Sequence, residues 1–244
     1  MLKIRTRPLQ NPFVLLGSLI LLFLIAASLF IPTWLPNYSS TNLLERNMSP
    51  SLLHLCGTDN LGRDICARVL VGMRISLFIG IIAAIIDISI GVLYGIISAF
   101  LGGKYDEILM RLADIIHAIP SLLLAIFITV IAGNNIGTII IAITVSGWIN
   151  MARIIRGQIL SLKEQDFIAA TICLGASTSR IIFHHLIPNS FGIIVTTATI
   201  TIPIAIFTEA FLSFLGIGVQ LPIASLGTMA VSYTHLRAHE TSLH

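Results

Sequence analysis

Three carboxylates stand in or beside stretches that are otherwise nearly free of charge: Asp87 between Ile75 and Phe100, Asp114 just before the uncharged stretch Ile115 to Ala152, and Glu209 between Phe191 and Gly218. An ionised side chain among apolar neighbours is costly unless it is paired, faces water or works in a site. Asp114 follows Arg111 by three residues, a helical spacing that lets the two pair. Asp114 and Glu209 are read as paired or interfacial carboxylates that fix helix packing, with a place on a path through the bundle as the alternative. Asp87 is read as facing a water-filled cavity or another subunit rather than as performing chemistry.

Other chemistries find no support. The phosphate-cradling pattern G-x-x-x-x-G-K-[ST] is missing: Gly103-Lys104 is followed by Tyr105 and has Ser98 where the first glycine belongs. Neither a G-x-S-x-G elbow nor an H-E-x-x-H pair occurs. Cys56, Cys66 and Cys173 form no C-x-x-C pattern; Cys56 and Cys66 share one loop and have the option of pairing, while Cys173 is read as packing. His117, His184 and His185 lie at no ligand spacing with a carboxylate or cysteine, so no metal and no cofactor are expected. For an intramembrane enzyme, Asp87 and Asp114 would be the only remotely suitable pair.

What must position these residues follows from composition. The 244 residues are 56% hydrophobic and only 10% charged, with a mean hydropathy of +0.97. Soluble domains carry about 25% charged residues, so membrane is the remaining solvent. The net charge of +3 comes from basic residues scattered between apolar stretches, which speaks against nucleic acid and for lipid headgroups.

Crossing a hydrocarbon core of about 30 Å takes about 20 apolar residues of helix. Residues 13–31 form a first run, ending at Pro32, Trp34 and Pro36, with Trp34 at the interface. A secretory signal peptide is the rival reading, since Lys3, Arg5 and Arg7 precede the run and Ala26, Ala27 and Ser28 are small, but its apolar part is too long. The second run is 75–100, ending at Gly102, Gly103 and Lys104. The stretch 115–152 is too long for one crossing and is split by Gly133, Asn134, Asn135 and Gly137. A fifth run spans 191–218, with Pro203 as an expected kink.

Five crossings put Lys3, Arg5, Arg7, Lys104, Arg153, Arg156, Lys163 and Arg180 on one face. The opposite loop, 32–74, carries Arg46, Arg63, Arg68 and Arg74, offset by Glu45, Asp59 and Asp64. The bias places the N-terminus in the cytoplasm. The segment 153–189 then lies there too. It is polar at Lys163, Glu164, Gln165 and Asp166, and apolar at helical spacing through Ala169, Ala170, Leu174, Ile181, Ile182 and Phe183. It is either a helix on the headgroups or a docking element for a soluble partner.

Several stretches resemble the inner-membrane permease subunits of binding-protein-dependent ABC importers, in the dipeptide, oligopeptide and nickel branch. Gly57-Thr58-Asp59-Asn60-Leu61-Gly62-Arg63-Asp64, continuing through Arg68, Gly72, Arg74, Ile75 and Ser76, resembles the signature before that branch's second helix. Met110 to Asp114 with Ile119-Pro120-Ser121, and Gly147-Trp148 through Ala152-Arg153 and Arg156-Gly157-Gln158 to Leu162, carry the likeness onward. Asp166-Phe167, then Leu174-Gly175-Ala176-Ser177, ending His185-Leu186-Ile187-Pro188-Asn189, resembles the EAA loop. Here the Glu-Ala-Ala triplet aligns with Ala169, Ala170 and Thr171, so the acidic residue is absent, and with it any ion pair it would make with an ATPase. Glu209-Ala210, Leu212 to Gly216, Ser225 and Gly227-Thr228-Met229 extend the match to about residue 230.

The resemblance implies an all-α polytopic transmembrane bundle of the type I ABC importer permease fold, five helices visible and a sixth missing or replaced. Its parts would be a cytoplasmic tail 1–12, a first helix 13–31, an extracytoplasmic loop 32–74 and a permease core 75–230. The coupling loop 153–189 lies within that core. The tail 231–244, with His235, His239 and His244, reads as foreign to the family, a His-rich metal site being the weaker alternative. The chain itself would be no enzyme: ATPase activity would sit on two cytoplasmic subunits. A second homologous permease and an extracytoplasmic solute-binding protein would complete a multi-pass assembly in a bacterial or archaeal inner membrane. A secondary transporter or channel working without ATPases is the alternative.

Overall fold

Where a hydrophobic run is interrupted by an arginine, hydropathy ends the segment but the backbone need not, and this decides the longest helices here. The computed structural model describes residues 12–33, 38–219 and 223–230. Lys3, Arg5, Arg7, Trp34, Pro36 and the tail 231–244 with its histidines lie outside the described residues.

Helix α1 (Pro12–Phe30) is apolar on every side and buries only Ala27 and Ser28, as a helix facing lipid does. Helix α2 (Ile65–Leu101) starts ten residues before the uncharged run, because Arg68 and Arg74 fall on helical turns. Its N-terminus is capped by Asp64, whose Oδ1 accepts from Ala67 N at 2.7 Å. Gly102 and Gly103, both at positive φ, end it.

The stretch expected to make a third crossing behaves differently. Helix α3 (Gly103–His117) is amphipathic, and α4 (Ser121–Ala132) has only 12 residues, too few to cross alone. The two are bent by 71° where Ile119 precedes Pro120, a position that disfavours helix. The described residues thus hold four helices long and apolar enough to cross, or five if the bent pair is one span.

Helix α5 (Ile136–Lys163) begins at Asn135, whose side chain accepts from Thr138 N, and runs eleven residues past the uncharged stretch to include Arg153 and Arg156. Helices α6 (Asp166–Cys173) and α7 (Thr178–Ile181) lead through a π-helical turn, Ile182–Leu186, into α8 (Ile187–Phe214), so that residues 178–214 form one long helical span. Pro188 explains the π turn. It has no N–H to offer the His184 carbonyl, and the widened register instead bonds Ile187 N to Ile182 O. Pro203 sits inside α8 without ending it.

The chain divides into two compact units, Met1–Ser76 with Leu221–His244, and Leu77–Gln220. In the second, Gly91 and Gly95 let α2 approach α5 backbone to backbone. A Cβ on Gly91 would stand 2.6 Å from Met151 Cβ, and one on Gly95 would stand 2.5 Å from the Ala152 carbonyl oxygen. Small residues four apart are the standard device for close helix packing in a membrane, and this pair was a signal legible in the sequence. Around the crossing, Ile96, Ala99, Met151, Ile155 and Ile159 form a core that also takes in Ile168, Ile181, Leu186 and Ile194.

Candidate functional site

Three polar regions arise from this frame. The first lies in residues 38–64, where Gly57-Thr58-Asp59 and Gly62-Arg63-Asp64 fold into a knot that satisfies its own charges. Asp59 Oδ1 accepts from the backbone N–H of Leu61 and Arg63, both at 2.9 Å, while Oδ2 accepts from Arg63 Nε at 2.7 Å and lies 3.8 Å from Arg68 Nε. His54 Nδ1 donates to Asp64 Oδ2 at 2.9 Å. Thr58 donates to the Glu45 carbonyl, and its Oγ1 accepts from Met48 N. The two glycines are required. Both have positive φ, and a Cβ at Gly57 would strike the Met48 carbonyl as one at Gly62 would strike that of Asn42. Cys56 and Cys66 are free thiols.

Residues 225–229 are anchored in the same unit. Leu226 N donates to Ser76 Oγ at 3.2 Å, Ser225 and Thr228 cap one another, and a Cβ on Gly72 would press on the Ser225 backbone.

The second region is the elbow 166–188. Ile168, Ile181 and Leu186 plug it into the core shared by α2 and α5, while Leu174, 88% exposed, and Ile172, Phe167 and Phe183 point outward. Asp166, Ala169 and Ala170 are exposed on α6, and Thr171 donates to the Phe167 carbonyl at 2.6 Å. A Schellman closure ends α6: Ala176 N bonds Thr171 O and Gly175 takes φ +76°. His185 stacks at an angle on Phe167, and its carbonyl accepts from the Asn189 side chain. The expected coupling-loop residues Asp166, Ala169, Ala170, Thr171, Leu174, Gly175, Ala176, His185 and Pro188 thus fall on one continuous elbow.

The third region holds the carboxylates. The expected Arg111–Asp114 pair does not form: Arg111 turns back to Glu107 at 2.9 Å, while Asp114 binds Arg153 of α5 at 2.6 Å. Spacing along one helix permitted the first pairing, but the neighbouring helix supplied a better-placed guanidinium. Asp106, which periodicity did not single out, receives both Arg156 Nε and Nη2 at 2.6 Å and a bond from Ser98. Tyr94 braces the same side, donating to Leu109 O at 2.6 Å and lying 4.7 Å from the Trp148 ring. Glu209, fully buried, accepts from Ser213 Oγ at 2.8 Å. Asp87, 2% exposed, lines a cavity of about 240 Å³ together with residues of α3, α4, α5 and α8, and among the described residues its Oδ1 has no hydrogen-bond partner.

Residues 91–234 match the family described as "Binding-protein-dependent transport system inner membrane component". The chain belongs to this family. The oligopeptide transport system permease protein OppC of Bacillus subtilis is 53% identical over 222 residues, covering 91% of this chain and 73% of that one. The dipeptide transport system permease protein DppC of the same organism is 46% identical, over 91% and 69%. OppC of Escherichia coli is 41% identical, over 87% and 72%. Among solved structures, inward-facing MetNI methionine ABC transporter aligns with a TM-score of 0.56 over 70% of this chain and 88% of that one, at 18% identity, a likeness of fold. As an inner-membrane component of this family, the permease is a multi-pass helical membrane protein of the ABC importer type.

Proposed function

We propose that the chain is the transmembrane permease subunit of an ATP-driven importer of peptides or related small solutes. A second homologous permease would complete the pathway, two cytoplasmic ATPases would drive it, and an extracytoplasmic solute-binding protein would deliver the cargo. The N-terminus and the elbow 166–188 would face the cytoplasm, and residues 38–64, within the loop 32–74, would face the delivery side. Similarity to peptide permeases supports the substrate class.

The observation that carries this reading is the elbow. A bundle that opens to either side responds to a motor only where the motor contacts the two arrangements differently. The elbow offers such a contact: an apolar tip at Ile172 and Leu174, outside, on a short helix whose Ile168 is buried in the core of the membrane helices. A push on Leu174 is thereby transmitted to α2 and α5 through packed side chains rather than through a slack loop.

Gly175 tests it. Its positive φ sets the angle at which α6 ends, and a Cβ there would meet no neighbour, so Gly175→Val acts only by straining the turn. In the assembled importer the variant inserts normally and ATP hydrolysis continues, but uptake falls about tenfold, the effect of about 1.4 kcal/mol on a barrier. Normal uptake at normal protein level would contradict the lever. Uphill accumulation in vesicles without ATPase subunits would instead support a secondary transporter.

A further inference from the structure

The buried carboxylate of Asp87 carries more than packing. Ion pairs or hydrogen bonds account for Asp59, Asp64, Asp106, Asp114 and Glu209, whereas Asp87 is buried on a membrane-spanning helix with Oδ1 unbonded. The space for it is built in. Gly147 of α5 faces it, and a Cβ there would stand 2.8 Å from Oδ1 and closer still to Oδ2. The cavity beside it holds about 240 Å³, room for about eight waters at roughly 30 Å³ each.

The remaining wall is rich in acceptors. Thr201 and Thr208 spend their hydroxyl protons on the carbonyls of Thr197 and Ile204, which leaves only oxygen lone pairs for the cavity. Ser121, Ser146 and Asn150 add two hydroxyls and a side-chain amide, which accept as well as donate, and His117 is the other titratable group on the wall. A carboxylate with several neutral acceptors calls for a ligand that brings both positive charge and hydrogen-bond donors. Among the described residues no cluster of three His, Cys, Asp or Glu exists, so the multi-carboxylate shell of a divalent metal is not on offer. A primary ammonium, with one charge and three donors, matches the set.

We propose that this cavity binds a primary ammonium group, with Asp87 as counter-charge and the Thr201 and Thr208 oxygens as acceptors. Resting on the importer reading above, the ammonium is the free amino terminus of the transported peptide, met inside the bundle.

The test uses the native chain in membrane vesicles carrying the assembled importer, with dicyclohexylcarbodiimide as the carboxyl probe and mass spectrometry of the peptide containing Asp87; Asp87→Asn serves to confirm the labelled position. Millimolar ethylammonium and trialanine are expected to slow labelling about tenfold at a concentration about ten times Kd, while N-acetyl-trialanine and potassium do not. Equal labelling rates throughout, protection by potassium or N-acetyl-trialanine equal to that by the amines, or an Asp87 that never reacts would each overturn the site. Trialanine uptake is followed in the same vesicles. ATP-driven uptake without amine protection rejects the site and leaves the importer reading standing; ethylammonium protection without uptake does the reverse.

Discussion

Asp59 in the 38–64 knot and Asp87 on α2 are both buried aspartates, yet their surroundings are opposite. Asp59 is held by two backbone N–H groups and two arginines, while Asp87 keeps one oxygen unbonded beside a cavity. A carboxylate surrounded by donors has its charge spent on architecture. One left with an unbonded oxygen where desolvation is costly is free to meet something that comes and goes. The two regions therefore separate structural from working acidity within a single chain.

The largest effect is expected from truncating Asp59, the paired member. Asp59→Ala leaves Arg63 and Arg68 buried without their partner and should destabilise the knot by about 3–5 kcal/mol. The expected result is rapid proteolysis of residues 38–64 in intact vesicles; unchanged resistance would mean that the pairing is dispensable. Next comes the close approach of α2 to α5. Gly95→Val drives a branched side chain into the Ala152 carbonyl and Arg156 backbone, for about 1–3 kcal/mol, whereas Gly157→Ala, which meets nothing, should be neutral or stabilising by up to about 1 kcal/mol. Thermal unfolding of the detergent-solubilised chain distinguishes them.

Smaller still, and opposite in sign to Asp59→Ala, is Asp87→Asn. It replaces a buried acid whose Oδ1 has no hydrogen-bond partner among the described residues and should raise the unfolding midpoint, by the equivalent of about 1 kcal/mol. A fall as large as that of Asp59→Ala would make Asp87 a structural residue after all. Arg111→Ala, which breaks an exposed pair with Glu107, should change stability by no more than about 0.5 kcal/mol and marks the floor of the scale.

Some of this was legible in the residues. The apolar runs, the Gly-Asn break before α5 and the exposed tip of the elbow follow from local rules of length, capping and periodicity. The ends of the helices were less so. Hydropathy stopped the second run at Ile75 and the fourth at Ala152, because it reads Arg68, Arg153 and Arg156 as loop, when each is helical and finds an acidic partner in the folded chain. The same blindness to partners placed Arg111 on Asp114.

Composition and spacing by themselves determined that the chain enters a membrane, roughly where it crosses, and that it carries an elbow with the marks of a docking element. Those properties depend on neighbours within a few turns and on the solvent. Which carboxylate is paired and which keeps an unbonded oxygen is a matter of tertiary structure, because it depends on what a different helix brings into reach: Arg153 for Asp114 and Arg156 for Asp106, both at 2.6 Å, and for Asp87 a glycine, Gly147, with no side chain to offer.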